Sequence, residues 1–224
     1  MAKTVTPLHL RSLSEEIVDI LQRSILTGIY KPGDRLVERE LAARFAVSSI
    51  PVREALQVLE NRGLVRRRRN RSCSVVDLTP DELRQVADFR KLVEPQLVRW
   101  ACERMSPADI DELADQLQKL KRTAQEKDVP RFFYEDLVFH RLVWAKSGNR
   151  YAAEALDRAV GSLFACGLMR SGNEIPPYLD IEVQKHEQLL NAMRARQAGA
   201  AAEILTNIAE DFRAQVQHQR DPQS

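Results

Sequence analysis

The stretch of sequence that decides the fold lies between residues 33 and 76. It reads GDRLVERELA over 33–42, SSIPVREAL over 48–56 and RRRRNR over 66–71. The second segment carries apolar residues at helical spacing, namely Val52, Ala55, Leu56 and Leu59. Such spacing predicts a helix with one buried face and one exposed face. Two short helices joined by a turn and followed by an arginine-rich hairpin are typical of a winged helix-turn-helix that binds DNA.

Residues at the start of the second helix are the strongest candidates for contact with DNA. Ser48, Ser49 and Arg53 lie at or near its N-terminal end, where the helix dipole and free N–H groups favour phosphate. The arginines at 66–69 are expected to reach phosphate from the wing and to substitute for one another. The full set of expected DNA contacts is Arg35, Arg39, Ser48, Ser49, Arg53, Asn70 and Arg71.

Charge divides the chain into two unequal parts. Residues 1–76 contain 14 Lys and Arg against 8 Asp and Glu, a net charge of +6. Residues 77–224 contain 20 basic and 24 acidic residues, a net charge of −4. A basic first third attached to an acidic remainder indicates one nucleic-acid-binding module and one module with another task.

Several motifs fall in an order that resembles a known family. They are Pro-Gly-Asp-Arg-Leu at 32–36, Glu-Arg-Glu-Leu-Ala at 38–42, Pro-Val-Arg-Glu-Ala-Leu at 51–56 and Asn-Arg-Gly-Leu-Val at 61–65. This block resembles the winged helix-turn-helix of the GntR family of bacterial transcription regulators. A second set resembles the helical effector domain (FCD) of its FadR-type branch: Arg90, Glu94, Asp-Leu-Val-Phe-His at 136–140, Ser-Gly-Asn at 147–149 and His186. The resemblance covers nearly the whole chain.

The fold is expected to be mostly α, with a winged helix-turn-helix followed by an all-α antiparallel bundle of about six helices. Residues 1–76 are expected to bind DNA, 77–79 to be a linker, and 80–220 to bind ligand and dimerise. Thr79, Pro80 and Glu82 suit a capping box at the start of the bundle. The predicted bundle helices span about 80–104, 107–126, 130–146, 150–171, 178–196 and 200–219.

Polar side chains inside the predicted bundle form a candidate binding site. At about 100° per residue, Asp136 and His140 share the apolar face of one helix, and His186 lies among apolar residues of another. A buried carboxylate is costly unless it is paired, hydrogen bonded or bound to a metal. Two interpretations stay open: a divalent cation site, whose imidazoles suit Zn, Ni or Fe, or two core histidines hydrogen bonded to an aspartate.

The family resemblance adds an expected ligand pattern to these residues. Metal-binding members carry Asp-x₃-His on one helix, a second His on the next-to-last helix and a third His on the last. Asp136, His140 and His186 match, whereas the position expected for the third histidine is Ile208. Three protein ligands remain, so water or an effector carboxylate would complete the shell, or the metal has been lost.

Arg90 is the candidate contact for a small-molecule effector. The resemblance implies that this arginine faces the ligand cavity, where its guanidinium suits a carboxylate. Its position one turn before Glu94 also allows an ion pair worth about 0.2–0.5 kcal/mol. Both roles are compatible, and the expected effector is a small carboxylate.

The number of cysteines and the length of apolar runs indicate the cellular compartment of the protein. The three cysteines, Cys73, Cys102 and Cys166, are odd in number and lack metal-type spacing, so a reduced cytoplasmic protein is expected. No apolar run approaches the ~18–20 residues of a membrane span, so no membrane partner is expected.

Three functions account for parts of this pattern. The first is a homodimeric, ligand-responsive regulator that represses from an inverted-repeat DNA operator, with the effector acting through the 77–79 linker. The second is a metal-dependent hydrolase or oxygenase using Asp136, His140 and His186, which leaves the N-terminal module unexplained. The third is a DNA-binding protein without sequence preference. Only the first uses both halves of the chain.

Overall fold

The computed structural model describes residues 12–67, 73–168 and 179–218, with side chains omitted at 167–168 and 212–218. The helices in these ranges are α1 (Leu13–Leu26), α2 (Glu38–Phe45), α3 (Ser49–Asn61), α4 (Pro80–Arg104), α5 (Pro107–Gln125), α6 (Val129–Ala145), α7 (Arg150–Leu168), α8 (Leu179–Arg194) and α9 (Ala198–His218). The strands are β1 (Arg35–Leu36), β2 (Val65–Arg67) and β3 (Cys73–Val75). The predicted architecture, mostly α with a small wing, is confirmed.

The wing contains one strand more than the expected hairpin. β3 lies in the middle of a three-stranded antiparallel sheet with the order β1-β3-β2. β1 has only two residues, of which Arg35 is exposed and Leu36 is buried. So short a segment has no alternation long enough to predict a strand, and it exists because β3 offers a free edge.

Helix caps fix where the bundle begins. The amide of Thr79 donates to Glu82 Oε2 at 2.8 Å, and the amide of Glu82 donates to the Thr79 hydroxyl at 3.2 Å. Pro80 occupies the first helical turn, where its missing N–H is not needed. The predicted capping box is therefore present, and Ser106 with Asp109 caps α5 in the same way.

The core runs without interruption from the helix-turn-helix into the bundle. α4 lies at the centre of the bundle and packs against α6, α7 and α9. Its buried face is mainly apolar, yet it also carries Arg90 and Glu94, which are 1% and 0% exposed. Two charges in the middle of a helical bundle need partners of their own, and the neighbouring α6 supplies them.

The segment between the two domains is partly packed. Val76 and Leu78 are buried, whereas Asp77 and Thr79 are exposed. The amide of Val76 donates to the Leu64 carbonyl at 3.0 Å, and the Cys166 thiol donates to the Val76 carbonyl at 3.6 Å. Val76, directly before residues 77–79, therefore contacts α7. None of the helices within the described ranges has the length and apolar character that crossing a membrane requires.

Candidate functional site

The N-terminus of α3 differs from most other helix starts in the described ranges. Ser48 is its N-cap, but the Ser48 side chain makes no capping hydrogen bond, and the first turn contains no acidic residue. By contrast, α1, α4 and α5 each begin with a complete capping box. The exposed Ser48 and Ser49 thus leave backbone N–H groups and a positive helix dipole free to meet an anion.

Arg53 projects from the same end of α3. Its side chain is 60% exposed, and its Nε donates to Glu38 Oε2 of α2 at 3.1 Å. A surface ion pair of this kind is worth little, about 0–1 kcal/mol, so the guanidinium can exchange Glu38 for another partner. Arg35 and Arg39 are also exposed, whereas Asn70 and Arg71 lie outside the described residues.

The two wing arginines that the structure describes have different partners within the protein. Arg66 lies 3.5 Å from Glu82 at the start of α4. Arg67 lies 3.3 Å from Glu60 of α3 and donates to the Arg53 carbonyl at 3.3 Å. Arg67 therefore holds the wing against α3, and Arg66 holds it against the bundle.

Asp136, His140 and His186 come together inside the bundle, as the sequence predicts. His186 Nε2 is 2.8 Å from Asp136 Oδ1 and 3.4 Å from His140 Nε2. His140 Nε2 is 3.5 Å from the same carboxylate oxygen. All three residues are buried, and within the described ranges they are the group whose ligand atoms lie close enough to hold a metal ion.

The spacing of these three atoms suits a cation at their centre. Bonds of about 2.0–2.2 Å at tetrahedral or octahedral angles separate neighbouring ligand atoms by about 3–3.5 Å, and the three observed distances are 2.8, 3.4 and 3.5 Å. Although Asp136 Oδ1 is buried and close to both rings, neither contact has the angles of a hydrogen bond. Asp136 Oδ1 is therefore left without a hydrogen bond between the two rings.

Neighbouring groups orient both rings. His186 Nδ1 donates to the Glu182 carbonyl at 2.7 Å, and its Nε2 lies on the side of Asp136. His140 Nδ1 lies 2.9 Å from Glu94 Oε1. A second group that fixes each imidazole and leaves the other nitrogen for the ion is the usual surrounding of a metal-bound histidine. The residues thus fit a divalent metal.

Glu94 is the site residue whose role the sequence did not predict in full. It lies close to His140 Nδ1, and it accepts hydrogen bonds from Arg90 Nε at 2.6 Å and Trp144 Nε1 at 2.8 Å. Burial would raise the pKa of Glu94, but Arg90 and His140 lower it to about 2. Helical spacing with Leu97 and Ala101 signals that Glu94 is buried; it does not signal which polar groups meet there.

The protonation state of His140 depends on the balance between two carboxylates, Glu94 and Asp136, and the nearby Arg90 guanidinium. Burial lowers its pKa, while Glu94 and Asp136 raise it to about 9. The Arg90 Nη2 donor, 3.2 Å from His140 Nε2, instead favours a ring without a proton on that nitrogen. A cation at the cluster would replace that proton, because only the neutral imidazole ligates. Arg90, the predicted effector contact, therefore lies directly beside the cluster.

Together the fold and the site define a DNA-binding protein with a winged helix-turn-helix and a helical domain that encloses an internal ligand site. The chain belongs to the GntR family of bacterial regulatory proteins, whose sequence model matches residues 13–75. An FCD domain matches residues 85–211. The predicted resemblance is confirmed. The protein is a ligand-responsive transcription regulator, and the hypothesis of a metal-dependent enzyme is set aside.

Relatives support the same assignment over most of the chain. The gluconate operon transcriptional repressor of Bacillus licheniformis is 27% identical over 88% of this chain and 82% of its own length. The galactonate operon transcriptional repressor of Escherichia coli K12 is 27% identical over 89% of this chain and 95% of its own. The solved structure of E. coli McbR/YncC, 24% identical, covers 94% of this chain and 100% of its own with a TM-score of 0.81, which shows a shared fold.

Proposed function

We propose that this regulator represses transcription as a homodimer on an inverted-repeat operator, under control of a small carboxylate effector. The observation that carries the proposal is the presence, in one chain, of an open α3 N-terminus and a buried Asp136/His140/His186 cluster. Both relatives named above are operon repressors, and their operons are named for sugar acids, which are carboxylates.

Selection of DNA from a random pool tests this function directly. The wild type is expected to enrich one half-site sequence in two inverted copies. Enrichment no better than that of random DNA would instead favour a DNA-binding protein without sequence preference. The enriched sequence would also identify the regulated genes.

The proposed docking places the two α3 helices of a dimer in successive major grooves, about 34–36 Å apart. Ser48, Ser49 and Arg53 then meet base edges or neighbouring phosphates. Arg35 and Arg39, both exposed, meet the phosphate backbone. Asn70 and Arg71 are proposed as the wing contacts. Residues 1–76 supply this surface, 77–79 connect it, and 80–220 bind ligand and a second chain.

The proposed metal is Zn, Ni or Fe, held by Asp136, His140 and His186. Imidazole and carboxylate ligands suit these ions, and three protein ligands leave positions open for water or an effector oxygen. When bound, the metal would supply a positive charge for the effector carboxylate. The Arg90 guanidinium beside His140 Nε2 would supply a second one.

Control of DNA binding requires the effector to favour one arrangement of the two domains over another. Such coupling is commonly worth about 1–3 kcal/mol. The cluster is buried, so an effector that enters has to shift α4, α6 or α8, which carry the residues around it. These helices pack on the elements that face the DNA-binding domain, so a shift of α4, α6 or α8 would move the neighbours of that domain.

The proposed dimer interface lies on the outer face of α4. Leu92 is 80% exposed there, the highest exposure among the large apolar residues of the described ranges. Val86, Phe89, Val93 and Trp100 form a half-buried apolar stripe on the same helix. Such a stripe, with Leu92 next to it, is poorly suited to water and well suited to the same face of a second copy.

Leu92→Glu is expected to weaken the dimer about tenfold or more, because it places two carboxylates in an apolar contact. Sedimentation equilibrium measures the dissociation constant. Ile181→Glu is the matched control, since Ile181 is 51% exposed on α8. Dissociation by Ile181→Glu with no effect of Leu92→Glu would move the interface away from α4.

Ile208→His is expected to tighten zinc or nickel binding about tenfold or more by supplying the missing third histidine. Ile208 is buried on α9, which packs against α4 and α8. Isothermal titration with each metal measures the change. Asn207→His is the control, because it places the same ring at an exposed neighbouring position. Equal gains from both variants would contradict a specific fourth ligand.

A further inference from the structure

The end of α3 meets α7 through two glycines, one from each domain. Gly63 follows the C-cap of α3 and has a φ of +70°, and a Cβ there would lie 2.0 Å from the Arg158 carbonyl oxygen. Gly161 lies within α7, and a Cβ there would lie 2.7 Å from the Arg62 carbonyl oxygen. Both distances are too short for any side chain, so the two backbones touch directly.

Polar side chains lie on both sides of this contact. Arg62 Nη1 donates to Gln22 Oε1 of α1, within the DNA-binding domain, at 2.6 Å. Within the bundle, Arg141 Nε of α6 donates to Asp157 Oδ1 of α7 at 2.6 Å. Asp157 attracts the Arg62 guanidinium across the contact, whereas Arg141 repels it. Arg141 directly follows His140, so the contact is adjacent in sequence to the Asp136/His140/His186 cluster.

We propose that this contact of Arg62 and Gly63 with Gly161, the glycine joint, sets the spacing between operator half-sites that the dimer accepts. The inference rests on the proposed homodimer on an inverted repeat. Gly161 is then a positioning residue, since it acts on DNA recognition only through the direction in which α3 is held.

The geometry of DNA makes spacing a sensitive measure of rigidity. One additional base pair moves the second half-site by about 3.4 Å and rotates it by about 35° around the helix axis. Two recognition helices fixed to a dimeric bundle therefore suit one spacing. If only the 77–79 linker joined the domains, each helix would adjust, and several spacings would bind with similar affinity.

Gly161→Ala tests the joint with little intrinsic harm to α7, because alanine favours a helix more than glycine does. Its methyl group would push the Arg62 carbonyl away. Gly199→Ala is the matched control, since a Cβ at Gly199 meets nothing within 4 Å. Gly63→Ala is a second test, because its methyl group would meet the Arg158 carbonyl from the other side of the same contact. It is decisive if Gly161→Ala fails to fold by circular dichroism.

The measurement compares affinities for a series of operators that carry the half-sites selected by the wild type. Their spacing runs from two base pairs shorter to two base pairs longer than the spacing that the wild type selects. The wild type and Gly199→Ala are expected to lose about tenfold or more at each wrong spacing. Gly161→Ala should keep the half-site sequence but vary by no more than about threefold across the series, and so should Gly63→Ala. Wild-type spacing preference in a folded Gly161→Ala, or in Gly63→Ala if Gly161→Ala is unfolded, overturns the joint alone. A wild type that selects no paired half-sites overturns the homodimer proposal and this inference together.

Discussion

His140→Ala is expected to lower the affinity for the proposed zinc, nickel or iron ion at least about 100-fold, which would leave the purified protein essentially metal-free. The substitution removes one of the three proposed protein ligands. It also removes the ring that lies between Glu94 and Asp136, so two buried carboxylates lose a shared neighbour. Elemental analysis of untagged protein, purified without chelators, measures the metal content per chain. Titration with zinc and nickel then gives the affinity.

Two further variants make this result interpretable. His140→Gln keeps most of the side-chain volume, so a folded protein with low metal content separates loss of a ligand from loss of structure. Glu103→Ala removes an exposed carboxylate of α4 that is not part of the cluster and should leave the metal content unchanged. A wild type that binds none of zinc, nickel and iron would contradict the metal site and leave two core histidines beside Asp136.

Helix boundaries could be predicted well from sequence because they are set locally. Thr79 with Pro80, and Ser106 with Pro107, each combine a capping side chain with a residue that suits the first helical turn. Inward orientation of Asp136 and His140 followed from helical periodicity alone. Both kinds of inference use residues within a few positions of one another, where the geometry of a helix is fixed.

Contacts between distant segments could not be predicted in the same way. Periodicity buries Glu94, but the meeting of its carboxylate with His140 and Trp144 depends on how α4 and α6 cross. Gly161 is a still clearer case. In a sequence, a glycine inside a helix indicates only a weak helical position. The structure shows why a side chain is excluded there, because the Arg62 carbonyl occupies the place of a Cβ.

Arg53→Ala is expected to weaken operator binding by about 1–3 kcal/mol, or about fivefold to more than 100-fold. Arg53 lies at the open end of α3, where the proposed docking brings base edges and phosphate within reach of one side chain. Its ion pair with Glu38 in the free protein is exposed and weak. The change in operator affinity therefore reports mainly the lost contact with DNA. Fluorescence anisotropy with operator and random DNA measures both affinity and discrimination.

Arg150→Ala is the matched control for Arg53→Ala, because it removes the same charge from a 74% exposed arginine on α7 that pairs with Glu154. A general electrostatic effect of losing one positive charge would appear in both variants and at every DNA sequence. A docked recognition helix predicts a large loss only for Arg53→Ala, and a larger loss on operator than on random DNA. Equal losses in the two variants, with discrimination unchanged, would contradict the placement of α3 in the major groove.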